Sequence, residues 1–149
     1  MHTDSRYKHS DITNCIIQSF YKVYNQLGYG FREKVYSNAL SIELEKSGVA
    51  SARECPIDVH YDGRVVGEYF ADLIVENCII LEIKSVQSLA VDHEAQLLNY
   101  LKATRFEVGL LLNFGPKPQI KRKVFITTKK EICPGFKSEI SVYQRKSAS

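Results

Sequence analysis

The chain has no apolar run approaching the ~20 residues that span a bilayer. Its first residues, Met1-His2-Thr3-Asp4-Ser5-Arg6-Tyr7-Lys8, hold no signal-peptide core. Both absences point to a cytoplasmic protein without a membrane partner. Cysteine is sparse: Cys15, Cys55, Cys78 and Cys133 are scattered, with no Cys-x-x-Cys pair. That spacing argues against structural zinc, and reduced, mostly buried thiols are the simplest expectation. Neither sign of charge dominates. A net charge of +3 permits nucleic-acid binding without demanding it. Internal repeats, low-complexity segments and interdomain linkers are missing too. What remains is an ordinary globular composition, 44% hydrophobic and 25% charged over 149 residues, enough for one domain with a real core. Residues 1–9 read as a flexible tail and 10–149 as that single domain.

Ser10 or Asp11 can cap a first helix, in which Ile12, Ile16, Phe20, Val23 and Leu27 recur at helical spacing. Gly28-Tyr29-Gly30 ends it. A second helix is expected over 31–46, stopped by Ser47-Gly48. A strand over 55–61 leads into Asp62-Gly63, the strongest hairpin signal in the chain. Residues 64–75 form the return strand, 78–85 the next strand and 89–104 a helix. The run 106–114 is almost wholly apolar, as in a central strand buried on both faces. A loop over 115–118 precedes strands expected at 123–128 and 140–144. A helix joining two strands makes a right-handed crossover. The order therefore gives an α/β fold with a mixed central sheet flanked by helices.

Chemistry concentrates in Ala71-Asp72-Leu73-Ile74-Val75 and Ile79-Ile80-Leu81-Glu82-Ile83-Lys84. Side chains alternate along a strand, so Glu82 and Lys84 share one face while Leu81 and Ile83 point into a core. A tight turn at Glu76-Asn77-Cys78 sets Asp72 opposite Glu82, within about one residue of register. A polar strand face is also the pattern of a half-solvated strand. Asp72, however, is a residue depleted in strands, and it sits in Tyr69-Phe70-Ala71-Asp72-Leu73-Ile74-Val75, where burial is expected. A buried carboxylate needs a partner or a metal.

Two helices add polar residues in unusual places. Glu33 heads a stripe of Tyr36, Leu40 and Leu44 that should face the sheet. It is either a site acid or a first-turn residue complementing the helix dipole. His93, Gln96 and Tyr100 share one face of the later helix, polar without formal charge, and that face either meets substrate or is simply solvated.

Together these features resemble the PD-(D/E)XK nuclease superfamily. An acid, then Glu-x-Lys, then Gln-x-x-x-Tyr on a helix is the pattern of its RecB-like exonuclease branch. Here it reads Asp72, Glu82-Ile83-Lys84 and Gln96-Leu97-Leu98-Asn99-Tyr100. Gly30-Phe31-Arg32-Glu33-Lys34-Val35-Tyr36 resembles more closely the opening signature of the small GxxExxY proteins assigned to that superfamily. The likeness runs from about residue 12 to 114, and its one departure is Ala71 where the pattern has proline.

The resemblance implies a restriction-endonuclease-like core and Mg²⁺- or Mn²⁺-dependent hydrolysis of phosphodiester bonds, most readily in DNA. By the same likeness Asp72 and Glu82 would hold the metal, with the Ile83 carbonyl as third ligand and Glu33 as an extra acid. Lys84 would orient water and offset phosphate charge. Gln96 and Tyr100 would position the substrate backbone or brace Lys84. Oxygen donors without a Cys or His cluster suit Mg²⁺ or Mn²⁺ better than zinc. The alternative is a non-catalytic nucleic-acid- or protein-binding module that kept the fold.

Between residues 117 and 130 lie Lys117, Lys121, Arg122, Lys123, Lys129 and Lys130, with no acid among them before Lys130. Such a run suits phosphate contacts, with Lys121, Arg122, Lys123 and His93 as the candidate nucleic-acid ligands. It equally suits an edge strand protected by lysines. His2, His9 and His60 read as surface residues. No recognition module is evident, so strong sequence specificity would need a protein partner or a homodimer.

Overall fold

The structure is a computed structural model that describes residues 9–126. The tail at 1–8, the strand expected at 140–144, and His2, Cys133, Lys129 and Lys130 lie outside the described residues.

Helix α1 (Ser10–Leu27) starts one residue earlier than a Ser10 cap would allow: His9 holds the cap position, and no side chain caps the first turn. Ile16, Phe20 and Val23 of its stripe are buried, and Gly28 ends it at φ 72°. Helix α2 (Glu33–Lys46) buries Tyr36, Leu40 and Leu44, each about one turn from the next, against the same core. Strands β1 (Ser51–Tyr61) and β2 (Arg64–Val75) form a long hairpin. Its turn residues Asp62 and Gly63 have φ 56° and 76°, the left-handed pair that matches strand twist. A second such turn, Glu76 and Asn77 at φ 51° and 55°, folds β2 onto β3 (Ile79–Lys84).

Helix α3 (Val91–Ala103) then crosses over to β4 (Val108–Phe114), which runs parallel to β3. β5 (Pro118–Val124) closes the order β1-β2-β3-β4-β5 as an antiparallel edge. The sheet is thus mixed, with α1 and α2 over one face and α3 over the other. Every residue of β4 is buried, as its apolar run requires. Gly109 is where α3 presses hardest: a Cβ there would come within 2.8 Å of Leu97. No helix among the described residues is long and apolar enough to cross a membrane.

Three expectations are corrected. The strand expected at 123–128 begins instead at Pro118, because proline is tolerated at the first position of an edge strand. Tyr69 and Phe70 are 44% and 60% exposed, so burial along β2 begins only at Ala71. Of the thiols, Cys55 is buried, but Cys15 and Cys78 are half-buried; none of the three is in a disulfide. His9 and His60, read as surface residues, are partly exposed.

The exposed stretch of β2 follows from a corner. Leu73 belongs to the cluster under α1 and α2, yet Ala71, two residues earlier, belongs to the cluster under α3. Strict alternation would keep both on one face. Across from Asp72, Glu54 has φ 51°, a left-handed residue inside β1 that turns the outer hairpin toward α3. Asp72 sits in that corner.

Candidate active site

The last ladder pair between β2 and β3 is Leu73 with Leu81. At the next position the strands part, and side chains take over the backbone's hydrogen bonds. The Asp72 N–H donates to Glu82 Oε2 at 3.2 Å. Asp72 Oδ2 accepts from the Ile83 N–H at 2.7 Å. Each acid thus anchors itself on the other's strand. Leu81 and Ile83 pack under α1 and α2, so alternation directs Glu82 to the α3 face.

This pair is strained electrostatically. Glu82 is 5% exposed. Burial, then the neighbouring Asp72 charge, pushes its carboxyl up to about 8, against the pull of the Asp72 N–H and Lys84. Asp72 is also raised, first by burial, with the Ile83 N–H opposing and Glu33 reinforcing. Lys84 lowers both acids by its positive charge, and Glu33 raises both. The Tyr100 phenol is pushed up by burial and then by the charges of Glu82 and Asp72. It therefore stays protonated, a donor beside two acids, with its ring 5.6 Å from that of Tyr69.

Five of the expected groups are thereby gathered: Asp72 and Glu82 act on each other, and Lys84, Tyr100 and, from the first turn of α2, Glu33 are each coupled to the acids. Glu33 itself is exposed and does not join the buried stripe it heads. Among the described residues no three His, Cys, Asp or Glu side chains converge closely enough to hold an ion, so Glu33 does not complete a three-acid cage. Two mutually repelling carboxylates, one of them buried, still form an oxygen site that a hard divalent cation would relieve. Asp72, Glu82 and the Ile83 carbonyl fit that role. Gln96 is half-buried on α3.

Sequence comparison agrees with this geometry: residues 10–123 match the PD-(D/E)XK nuclease superfamily. The chain belongs to that superfamily. Among solved structures, the crystal structure of SSO0001 is similar at a TM-score of 0.50 and 19% identity, covering 76% of this chain and 56% of that one. At that identity the likeness speaks for the fold alone, and this chain spans little more than half of that protein. No curated protein matches.

In this PD-(D/E)XK chain two supporting residues escaped the sequence reading. Asn113 lies fully buried in the apolar strand β4, in register with Lys84. Its Oδ1 accepts from the Val86 N–H at 2.9 Å, and its Nδ2 donates to the Val86 carbonyl and to Gln119 Oε1, both at 3.0 Å. It clamps the loop that follows Lys84. The available signal was a lone asparagine, a residue depleted in strands, within an apolar run. The other is Tyr36, read as a core residue and as the end of the Gly30 to Tyr36 motif but not as a clamp on the loop before it. Its hydroxyl donates to the Gly28 carbonyl at 2.7 Å and accepts from the Phe31 N–H at 3.1 Å. Replacing Asn113 with leucine would strand the Val86 N–H and carbonyl. With roughly 1–3 kcal/mol per unsatisfied group, we expect Asn113→Leu to lower stability by about 2–5 kcal/mol in chemical denaturation, far beyond a surface change.

The candidate nucleic-acid ligands do not form one patch. Lys121 and Lys123 pair with Leu111 and Gly109 and so lie on the α3 face, whereas Arg122 pairs with Leu110 and lies on the other. Lys121 and Arg122 are exposed. Lys123 is held 2.7 Å from Glu94 of α3, an acid that the local sequence could not place there. The Lys123 hydrogen bond and charge keep the Glu94 carboxyl below its usual range, with Lys121 adding to the effect. His93 is engaged as well: its Nδ1 accepts from the Ala90 N–H at 2.9 Å, closing the first turn of α3.

Proposed function

We propose that this chain is a divalent-metal-dependent nuclease that hydrolyses phosphodiester bonds in DNA. The carrying observation is the reciprocal pairing of Asp72 and Glu82 where β2 and β3 part, with Lys84 two residues on. A bound Mg²⁺ or Mn²⁺ would supply an activated water and offset charge on the phosphate. Asp72, Glu82 and the Ile83 carbonyl would hold it, and Glu33 would add negative charge from α2. Lys84 orients the attacking water and stabilises the phosphate oxygens as charge builds there. Tyr100, kept protonated, offers a hydrogen bond to the substrate backbone, and Gln96, one turn before it on α3, positions the strand. Lys121, on the α3 face of β5, adds a phosphate contact. The Glu-x-Lys and Gln-x-x-x-Tyr spacing favours the RecB-like arrangement, and the Gly30 to Tyr36 motif favours the GxxExxY group. Sequence specificity comes from a partner or a second copy.

The rival is a non-catalytic binding module. A module has little use for a buried acid set beside a half-buried one that repels it, since burying a carboxylate is expensive. The test uses labelled single- and double-stranded DNA with Mg²⁺, Mn²⁺ or EDTA. Cleavage is expected with either metal and none in EDTA. Asp72→Asn keeps an acceptor for the Ile83 N–H but removes a charged ligand. It should fold, bind Mg²⁺ at least about tenfold more weakly, as for a lost supporting ligand, and cut no DNA. Equal metal affinity by calorimetry in mutant and parent would remove Asp72 as a ligand.

A further inference from the structure

Beyond the carboxyl ends of the parallel strands β3 and β4 the chain builds a pocket of about 660 Å³, bordered by Tyr29, Phe31, Arg32, Glu33, Gln87 and Pro116. That volume falls in the ~300–1,000 Å³ range of small-ligand sites, and the carboxyl ends of parallel strands are where α/β sheets bind ligands. Its three walls are loops, and each is pinned from below. Tyr36 fixes the first by its bonds to Gly28 and Phe31. Asn113 fixes the second through Val86. The Tyr24 hydroxyl lies 2.8 and 2.9 Å from the Gly115 and Pro116 carbonyls and fixes the third. Ser85 Oγ donates to the Phe31 carbonyl at 2.9 Å and ties the first wall to the second. Gly115 lets the second and third meet, since a Cβ there would fall 2.0 Å from the Val86 carbonyl oxygen.

This fixed frame carries two aromatic rings that the fold does not use for its core. Tyr29 is 61% exposed and Phe31 48%, the latter resting edge-on against the buried Tyr36 at 6.1 Å. Gly28 and Gly30, at φ 72° and 114°, give the loop the turn that presents both rings. Only a planar ligand uses such faces well. Glu33 lines the pocket beside Arg32 and Lys34, the latter tied to Glu54 at 3.0 Å, and the exposed ring faces are left for the neutral base of a nucleotide. Arg32, also in the lining, is placed for the attached phosphate. Glu33 acts on Asp72 and Glu82, and Ser85 follows Lys84 directly, so the pocket adjoins the acid pair.

We propose that this pocket receives one unpaired base of the nucleic-acid strand, stacked on Tyr29 and Phe31, and that it directs the enzyme to single strands or strand ends. A base inside a duplex has both faces covered by its neighbours and cannot stack there. The Gln87 amide offers a donor and an acceptor to the base edge without choosing one base. The proposal rests on the nuclease reading only for placing the cut phosphate at Asp72 and Glu82.

The test is binding, without cleavage, of a single-stranded oligonucleotide carrying 2-aminopurine at one end, in Ca²⁺. Stacking on the rings should quench the fluorescent base. The Tyr29→Ala, Phe31→Ala double variant should lose the quenching and bind about tenfold more weakly, the scale of one lost base–aromatic stack. Tyr29→Phe and Phe31→Tyr should retain both. Binding of a blunt duplex should change little. Tyr29→Ala alone, at a mostly exposed position, provides the same readout should the double variant not fold. Unchanged quenching and affinity in a folded variant, or equal losses for duplex and single strand, would overturn the pocket. A parent that quenches the base but never cuts DNA in Mg²⁺ keeps the pocket and removes the nuclease reading. A parent that cuts, with a folded double variant that cuts single strands equally well, removes the pocket and keeps the nuclease.

Discussion

Lys84→Ala is expected to slow DNA cleavage by about 10²–10³-fold, the scale of a lost electrostatic donor to a transition state, while DNA binding in Ca²⁺ changes within a few fold. The reasoning starts from position. Lys84 ends β3 two residues after Glu82, and its charge acts on both acids of the pair. In the ground state it offsets negative charge that is already there. As water attacks, further charge builds on the phosphate oxygens, and the ammonium gains more from that state than from the bound substrate. The loss should therefore fall on kcat more than on KM. A binding module predicts otherwise: Lys84 is then one phosphate contact among several, and its removal weakens binding modestly and lowers the salt dependence by about one counterion. Cleavage assays and salt titrations on the same pair of proteins separate the two. A variant that cuts as fast as the parent would remove Lys84 from the chemistry.

The site was legible in the sequence wherever one strand or one tight turn set the geometry. Alternation alone put Glu82 and Lys84 on one face, and the turn at Glu76 and Asn77 put Asp72 beside Glu82. The hairpin at Asp62-Gly63 and the buried strand β4 followed from local pattern in the same way. Where two distant segments meet, the sequence was silent. Nothing local to 117–123 shows that Glu94 will sit against Lys123, because only the packing of α3 over β4 and β5 brings it there. The clamp made by Asn113 needs the loop after β3 to pass over β4. The corner at Glu54 and Asp72 needs a left-handed φ in a non-glycine residue, which carries no composition signal. That corner decides the exposure of Tyr69 and Phe70 and frees the Asp72 carboxylate from an ordinary ladder. The same limit applies to Glu33. Helical spacing set it on the face of Tyr36 and Leu40, but as the first residue of the helix the acid is left exposed and lines the pocket.

The metal-free protein is expected to lose stability as pH rises from about 5 to 8, and Mg²⁺ is expected to abolish that loss. Glu82 ordinarily titrates near 4.5, and in the folded chain it is pushed up to about 8. Between those values the folded state holds a proton that the unfolded state has released. Stability then falls with rising pH, at a limiting slope of about 1.4 kcal/mol per unit. The contribution is fully present below the unfolded value and gone above about 8, where burial of an ionised carboxylate next to Asp72 remains uncompensated. Because Asp72 is raised as well, the proton belongs to the pair, and the titration should follow the two acids together. A divalent ion binds the ionised pair, so its affinity should climb over the same window and its binding should release close to one proton at neutral pH. Glu82→Gln keeps an acceptor for the Asp72 N–H without the charge. It should flatten the slope, melt higher than the metal-free parent at pH 8, and gain little from Mg²⁺. Denaturation midpoints from pH 5 to 9, in EDTA and in Mg²⁺, read all three effects. A parent and a Glu82→Gln variant whose midpoints run parallel across that range would show that Glu82 carries no displaced proton, and with it would go the electrostatic case for a metal between Asp72 and Glu82.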